Sequence, residues 1–345
     1  MHTGSGSSDV LSWTSPDKEN TMKPISTVRS GIAALAFVAG AIPAAAAFPE
    51  RAITLIVPFA AGGPGDTVVR LIGAHMAGTL GQPIVVENAA GAGGTSAITR
   101  ATQAGADGYT IMLGNMGTHG AAPAQYPNLK YDPAKDFTPI GLMVTTPIVI
   151  IARKTFPANN LREFIDYVRK NQDKVVEAHA GVGSVSHTTC TLLQWIIGTK
   201  TARVAYRGTG PSINDLVAEH VDFGCDQIVN VAPHIQAGTL KALGIATAKR
   251  SAAMKDVPTT REGGLPDFEV SAWIALFAPK GTPQHVVGKL NEALVNALDD
   301  EGTRARLLDL GSEIPDRAGR APDALQELVL REVARWTPVL KTAGQ

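Results

Sequence analysis

The chain has 345 residues, with 31 basic and 31 acidic side chains, a formal net charge of zero, 44% hydrophobic and 5% aromatic residues. Without a positive excess to neutralise phosphates, a nucleic-acid-binding role is excluded, and the apolar content excludes a disordered chain. Two cysteines are too few for a disulfide scaffold or a four-thiolate zinc site, whereas 35 glycines and 22 prolines without a short period punctuate turns and can line a ligand site.

Residues 1–47 read as a leader. From Met22 onward, Lys23 and Arg29 make a positive n-region, 31–42 is an uncharged apolar run, and Pro43 breaks it. Ala45-Ala46-Ala47 then satisfies the small-residue rule, so a signal peptide over 22–47 is cleaved after Ala47 and Phe48 starts the mature chain. A membrane anchor is the competing reading, but the last third of the run is Pro and Ala, weakly apolar for the ~20 residues a span needs. Residues 1–21 carry Asp9, Asp17 and Glu19 and suit no n-region; an upstream start codon or an untranslated stretch accounts for them. Loss of the leader removes three residues of each sign, so the mature chain stays neutral, and the expected compartment is the periplasm.

Three strand, glycine-loop, helix units follow. Ile53–Pro58 is a strand, AAGGPGD a loop, and Thr67–Leu80 a helix. Ile84–Glu87 is a strand, NAAGAGGTS a loop, and a helix begins near Ser96. Thr110–Leu113 is a strand leading into the loop GNMGTHG. This alternation is the signature of a parallel sheet with crossover helices, whose ligands sit beyond the carboxyl ends of the strands. Thr138–Ala152 is a long apolar stretch able to leave one domain and enter another. A second series follows: helix Leu161–Asn171, strand Val175–Ala178, loop GVGSVSH, helix Thr189–Gly198, strand Arg203–Tyr206, loop RGTGP, helix Ser212–Ala218, strand Val221–Cys225, loop DQIVN, helix Val231–Ala237 and strand Leu240–Thr247. Val270–Ala278 is a second apolar stretch that carries the chain back, and Pro283–Asp299, Gly302–Leu310 and Ala324–Leu340 are helical. The expected architecture is α/β with two domains, 48–147 plus 272–345 and 148–271, joined by two crossing segments around a cleft.

Catalytic signatures are mostly missing. There is no P-loop, no Gly-x-Ser-x-Gly elbow and no HExxH or CxxC, and Gly91-Ala92-Gly93-Gly94-Thr95-Ser96 fails as a dinucleotide fingerprint at Ser96. His187 and Cys190 are three residues apart and fit a metal pair or a Cys–His nucleophile only in outline. The alternative for His187 is a polar residue at a helix start facing the cleft. Cys190 and Cys225 are either one disulfide in an oxidising compartment or two buried thiols. The glycine loops, by contrast, offer anion binding without chemistry. Backbone N–H groups at 58–63 and at Gly91–Ser96, each before a helix N-terminus, can hold a carboxylate with no Lys or Arg. Tight βα turning alone is the plainer alternative.

The segment FPERAITLIVPFAAGGPGDTVVRLIGAHMAGTLGQPIVVENAAGAGGTSAI resembles the start of the periplasmic solute-binding proteins of tripartite tricarboxylate transporters, the Bug family. DGYTIMLGN, GVGSVSHTTC, VAYRGTGPSINDLVAEHVDFGCDQI, AGTLKALGIATAKRS and DVPTTREGGLPDFEVSAWIALFAPKGTP continue the likeness in order over residues 48–345. The resemblance implies a type II-like periplasmic-binding-protein (Venus-flytrap) fold with two crossing hinge segments and a small carboxylate ligand: a di- or tricarboxylate, an acidic amino acid or an aromatic carboxylate. It further implies membrane transporter subunits as partners, a monomer, no cofactor and no enzymatic activity. Pro64-Gly65 and Cys225 depart from the commoner family residues.

On this resemblance the proximal carboxylate meets Phe59–Asp66 and Gly91–Ser96. There Ala61, Gly62, Gly63, Ala92, Gly93, Gly94 and Thr95 give N–H groups, Thr95 and Ser96 give hydroxyls, Ser96 also caps its helix, and Phe59 and Asp66 bound the first loop. Asn115 donates or accepts from the third loop. Ser184, Ser186 and His187 meet the distal end, and Asp226 accepts from a ligand hydroxyl or amine or caps a loop. Arg207 is the charged group near the distal end or is solvated. Two other roles stay open: a receptor presenting ligand to a membrane sensor kinase, and a hydrolase-like enzyme using Cys190 and His187.

Overall fold

The three short apolar runs become β1 (Ile53–Val57), β2 (Ile84–Asn88) and β3 (Thr110–Asn115), which pair in parallel in the order β2-β1-β3. The structure is a computed structural model and describes residues 48–343; the leader, its cleavage after Ala47 and the competing anchor lie outside the described residues. Among the described residues no helix is long and apolar enough to cross a membrane. The first crossover helix, α1 (Pro64–Leu80), starts before the expected Thr67. Pro64 sits in its first turn, where a missing N–H costs nothing, and left-handed Gly81 ends it. The second, α2 (Thr95–Ala101), follows a 3₁₀ turn at Ala92–Gly94.

The first apolar stretch is the 17-residue strand β4 (Phe137–Arg153). Its residues 137–147 pair antiparallel with β9 (Ser271–Pro279), and 148–152 pair antiparallel with β7 (Phe223–Gln227). The same half of β4 carries β8 (Leu240–Ile245) on a branch, and β7 leads on to the parallel strands β5 (Val176–His179) and β6 (Ala202–Ala205). One mixed sheet in the order β2-β1-β3-β9-β4-β7-β5-β6 therefore serves two lobes, with β4 belonging to both. The strands before glycine loops are parallel, as expected. β9 is antiparallel because it returns from the other lobe without a crossover helix of its own.

Apolar faces pack on each half. Ile53, Leu55, Val57, Ile72 and Met76 meet Leu290 and Leu294 of α8 (Gln284–Asp299) in the first lobe. In the second, Val149 and Ile151 meet Ile213 and Leu216 of α6 (Thr209–Val217) and Ile228 and Val231 of α7 (Ile228–Gln236). A third cluster includes Ile148, Phe223 and Phe277 together with Phe164 of α4 (Leu161–Asn171) and Trp336 of the terminal helix α10 (Pro322–Ala343); the shorter α9 (Glu301–Asp309) precedes it.

Three expected loops are helical instead. GNMGTHG is a π-helical turn, Met116–Ala121, running into α3 (Ala122–Gln125); its glycines are tolerated because Asn115 and Thr118 form a reciprocal capping box. In GVGSVSH the helix α5 (Val185–Ile197) starts at Val185, capped by Ser184. In DQIVN, Asp226 and Gln227 still belong to β7, and α7 begins directly at Ile228. Cys190 of α5 and Cys225 of β7 are disulfide-bonded, with Cα atoms 5.3 Å apart. Cys190 thus has no thiolate to offer, which overturns the Cys–His nucleophile, and no His/Cys/Asp/Glu cluster suited to a metal exists among the described residues.

Candidate functional site

The carboxyl ends of β1, β3, β5 and β7 meet at one small cavity between the lobes. It is lined by Phe59, Ala60 and Gly63–Asp66 beyond β1, Asn115 at the end of β3, Ala180 and Ser184–Ser186 beyond β5, Thr209, and Gln227 at the end of β7. Its volume is about 20 Å³, the space of roughly one water molecule. Four helices of nine residues or more begin at its wall: α1 at Pro64, α5 at Val185, α6 at Thr209 and α7 at Ile228. The first N–H groups of each helix lack intrahelical partners, and each helix brings about half a positive charge to its start. No Lys or Arg lines the cavity. It is an anion site built from dipoles, hydroxyls and amides.

The one carboxylate in the lining is already satisfied. Asp66 takes hydrogen bonds from the Gly62 N–H at 3.0 Å, Asn88 Nδ2 at 2.9 Å and Arg70 Nε at 3.0 Å. Burial raises its pKa, but these partners outweigh burial and hold it below the usual carboxylate range. Ser184 Oγ accepts from His187 N, Ser186 Oγ accepts from Ala180 N at 2.9 Å, and the two hydroxyls are 3.2 Å apart.

Of the expected residues, Phe59, Gly63, Asp66, Asn115, Ser184 and Ser186 line this cavity. Others do not. Ala61 and Gly62 are exposed outside it. Ala92, Gly93 and Gly94 line a separate open hollow of about 490 Å³ at the outer mouth, together with Phe59, Tyr126 and Arg207. Exposed Arg207 contributes only its backbone carbonyl across the seam, accepting from the Ala60 N–H at 3.1 Å. Thr95 spends its hydroxyl on Ala92 O at 2.8 Å, and Ser96 is exposed, with no side-chain cap for α2.

His187 faces away, into a groove of about 680 Å³ beside α10, and accepts at Nδ1 from the Gly183 N–H. Burial, then His179 and Arg203, push its pKa down to about 3. Asp226 is turned behind the cavity. It accepts from Gln227 N at 2.7 Å and Asn230 Nδ2 at 2.8 Å, and burial pushes it up to about 7. Alternation along β7 puts Asp226 and Gln227 on opposite faces, so Gln227 takes the place expected of Asp226. Thr209 and Gln227 line the cavity without being among the expected residues. The RGTGP loop obeyed the same strand-loop-helix rule that singled out the other loops, and a β7 two residues longer exposes Gln227.

The lobes touch at backbone distance around this cavity. A Cβ on Gly63 would lie 2.9 Å from Thr209 Oγ1, and one on Gly93 would lie 1.8 Å from Val182 O. Tyr126 shares its one hydroxyl proton between Ala92 O, at 2.8 Å, and Val182 O, and Gln125 Nε2 donates to Thr188 Oγ1 at 2.9 Å.

Residues 68–345 match the family profile described as the tripartite tricarboxylate transporter family receptor. Among solved structures, MatC from Rhodopseudomonas palustris with bound malate is 50% identical, with a TM-score of 0.83 over 85% of this chain and all of that one. The periplasmic binding protein BugD is 43% identical, with a TM-score of 0.84 over 86% of this chain and 99% of that one. A UPF0065 protein of the TAR-I ttuE-ttuC' intergenic region of Agrobacterium vitis is 41% identical over 86% of each chain.

Proposed function

The chain belongs to the tripartite tricarboxylate transporter receptor family, and from that premise we propose that it is a periplasmic solute-binding protein that captures a small carboxylate between its lobes and delivers it to a transporter of that type. The observation that carries this reading is the convergence of four helix N-termini on a cavity without a cationic side chain. Such a site attracts an anion, and its hydroxyls and amides fix the ligand's orientation. The malate in MatC supports the choice of carboxylate. The hinge falls where β4 exchanges β9 for β7, between Pro147 and Ile148, and where β9 begins at Ser271. That supports domains of 48–147 plus 272–345 and 148–271. No residue in the cavity is an activated nucleophile, which supports binding without turnover.

A thermal-shift screen of mono-, di- and aromatic carboxylates tests the reading. Ligand at one hundred times its Kd adds about 2.7 kcal/mol, a rise of roughly 5–10 °C for domains of this size. Gly63→Asp sets a fixed carboxylate against the start of α1 and is expected to abolish that rise while leaving the unliganded melting temperature within a few degrees. Failure of every carboxylate to stabilise the wild type overturns the reading.

A further inference from the structure

Asn115 closes β3 and Gln227 closes β7, so each lobe contributes one carboxamide to the cavity, and the two are only 5% and 4% exposed. Both have their acceptor end tied down. Asn115 Oδ1 accepts from the Thr118 backbone N–H at 3.0 Å, and because that partner can only donate, the oxygen is fixed inward. Gln227 Oε1 accepts from Thr146 Oγ1 at 2.7 Å, where Thr146 sits fully buried on β4 one residue before Pro147. Among the described residues neither Asn115 Nδ2 nor Gln227 Nε2 has a protein partner, and neither is sealed from solvent. Each residue's accessible face is therefore the cavity it lines.

The remaining lining is rich in donors and holds no free anion. Helix N-termini donate, the hydroxyls of Ser184, Ser186 and Thr209 can donate, and Asp66 is saturated by Gly62, Asn88 and Arg70. Asp226, the acid that would otherwise receive an ammonium, points behind Gln227 toward Asn230. A ligand here meets donors from both lobes and no free charged acceptor.

We propose that Gln227 is the specificity-determining residue of this site. Its amide nitrogen, with Oε1 engaged by Thr146, donates at the position where a hydroxy acid carries its hydroxyl oxygen and an amino acid its ammonium, so the protein takes dicarboxylates without an α-amino group in preference to acidic amino acids. This rests on the carboxylate-capture reading above. Malate and L-aspartate separate the alternatives well, since they differ only in hydroxyl against ammonium. A buried ammonium facing donors leaves three N–H groups unpaired and sits at the positive end of four helices. Sites built on such pairing discriminate by factors of roughly 100 or more.

Calorimetry of malate and L-aspartate on wild-type, Gln227→Glu and Thr146→Val protein tests the proposal. The wild type is expected to prefer malate at least about 100-fold. Gln227→Glu keeps the shape and replaces the donor with an acceptor, so malate affinity falls at least about 100-fold and the preference collapses or inverts. Thr146→Val leaves the glutamine in place but unanchored, so the ratio shrinks several-fold, which a merely structural role would not produce. Should Gln227→Glu fail to fold, Gln227→Leu gives the same reading through a lost malate preference. An unchanged ratio in a folded variant, or equal binding of the two ligands by the wild type, overturns the assignment to Gln227. Wild-type protein that binds no carboxylate at all overturns instead the reading it rests on.

Discussion

His119 is fully buried, stacked at 4.2 Å on Phe277 and 4.7 Å from Phe137, with Nδ1 2.9 Å from Thr118 Oγ1 and no partner at Nε2. Burial pushes its pKa down to about 3. The unfolded chain therefore binds a proton below pH ~6.5 that the folded chain refuses, and stability present above that pH is lost as pH falls toward the folded value. The loss is about 1.4 kcal/mol for each pH unit across this window. Asp226 works with the opposite sign: burial raises its pKa to about 7, so its contribution declines as pH rises from about 4 to 7. His119→Phe is expected to make the slope of unfolding free energy between pH 4 and 6 less positive by about 1.4 kcal/mol per unit. Urea melts at several pH values measure it, and an unaltered slope refutes the buried neutral imidazole. Thr118 also caps with Asn115, so this histidine supports the turn that holds one cavity amide. Asn115, Ser184 and Ser186 were legible in the sequence because they fall in the glycine loops expected beyond strands, which the family resemblance also marks. Gln227 was not, because only the true end of β7 decides which of Asp226 and Gln227 faces the ligand.

At the scale of elements, the glycine loops have a second role that local sequence does not announce. They were read as N–H donors. In the structure, Gly93 packs on Gly181 and Val182, and Ala60–Gly63 packs on 208–210. Gly93 has φ +60, and a Cβ there would lie 1.8 Å from Val182 O, so the site tolerates no side chain for both local and tertiary reasons. Gly93→Ala strains the turn by only about 1 kcal/mol in the separated lobes but blocks their approach. It is expected to weaken ligand binding at least about tenfold, which corresponds to 1.4 kcal/mol, while the unliganded melting temperature moves by a few degrees. Wild-type affinity in Gly93→Ala contradicts this contact. The strand-loop-helix units and the crossing stretch β4 were plain from apolar runs. The turn at 116–121 was not, since Gly117 and Gly120 read as breakers and only the Asn115–Thr118 box shows why the backbone coils there. The disulfide is a further tertiary fact; closing a 35-residue separation, it constrains the unfolded chain by about 3–4 kcal/mol.

For the whole molecule, neutrality and function agree once charge is sought in helix ends rather than in side chains. The two lobes share β4, so they can turn about its middle without breaking either half-sheet, and the lobe faces already touch around a space of about 20 Å³. The lobes close over this cavity, so ligand enters after they part and re-closing on it sets the affinity. Tyr126 is the clearest brace across the seam: its one hydroxyl proton is shared between Ala92 O of its own lobe and Val182 O of the other. Only the bond to Val182 O crosses the seam, and it contributes about 1 kcal/mol to closure. Tyr126→Phe removes it and keeps the ring that packs near Gly183. Ligand affinity is then expected to fall roughly two- to tenfold, mostly through a faster off-rate, because the open form is favoured while the contacts of the bound ligand are untouched. Small-angle scattering of the unliganded variant is expected to give a larger radius of gyration than the wild type, and saturating ligand restores the smaller value. If radius and affinity both stay at wild-type values, Tyr126 bridges the lobes without holding them, and closure draws on the backbone contacts alone.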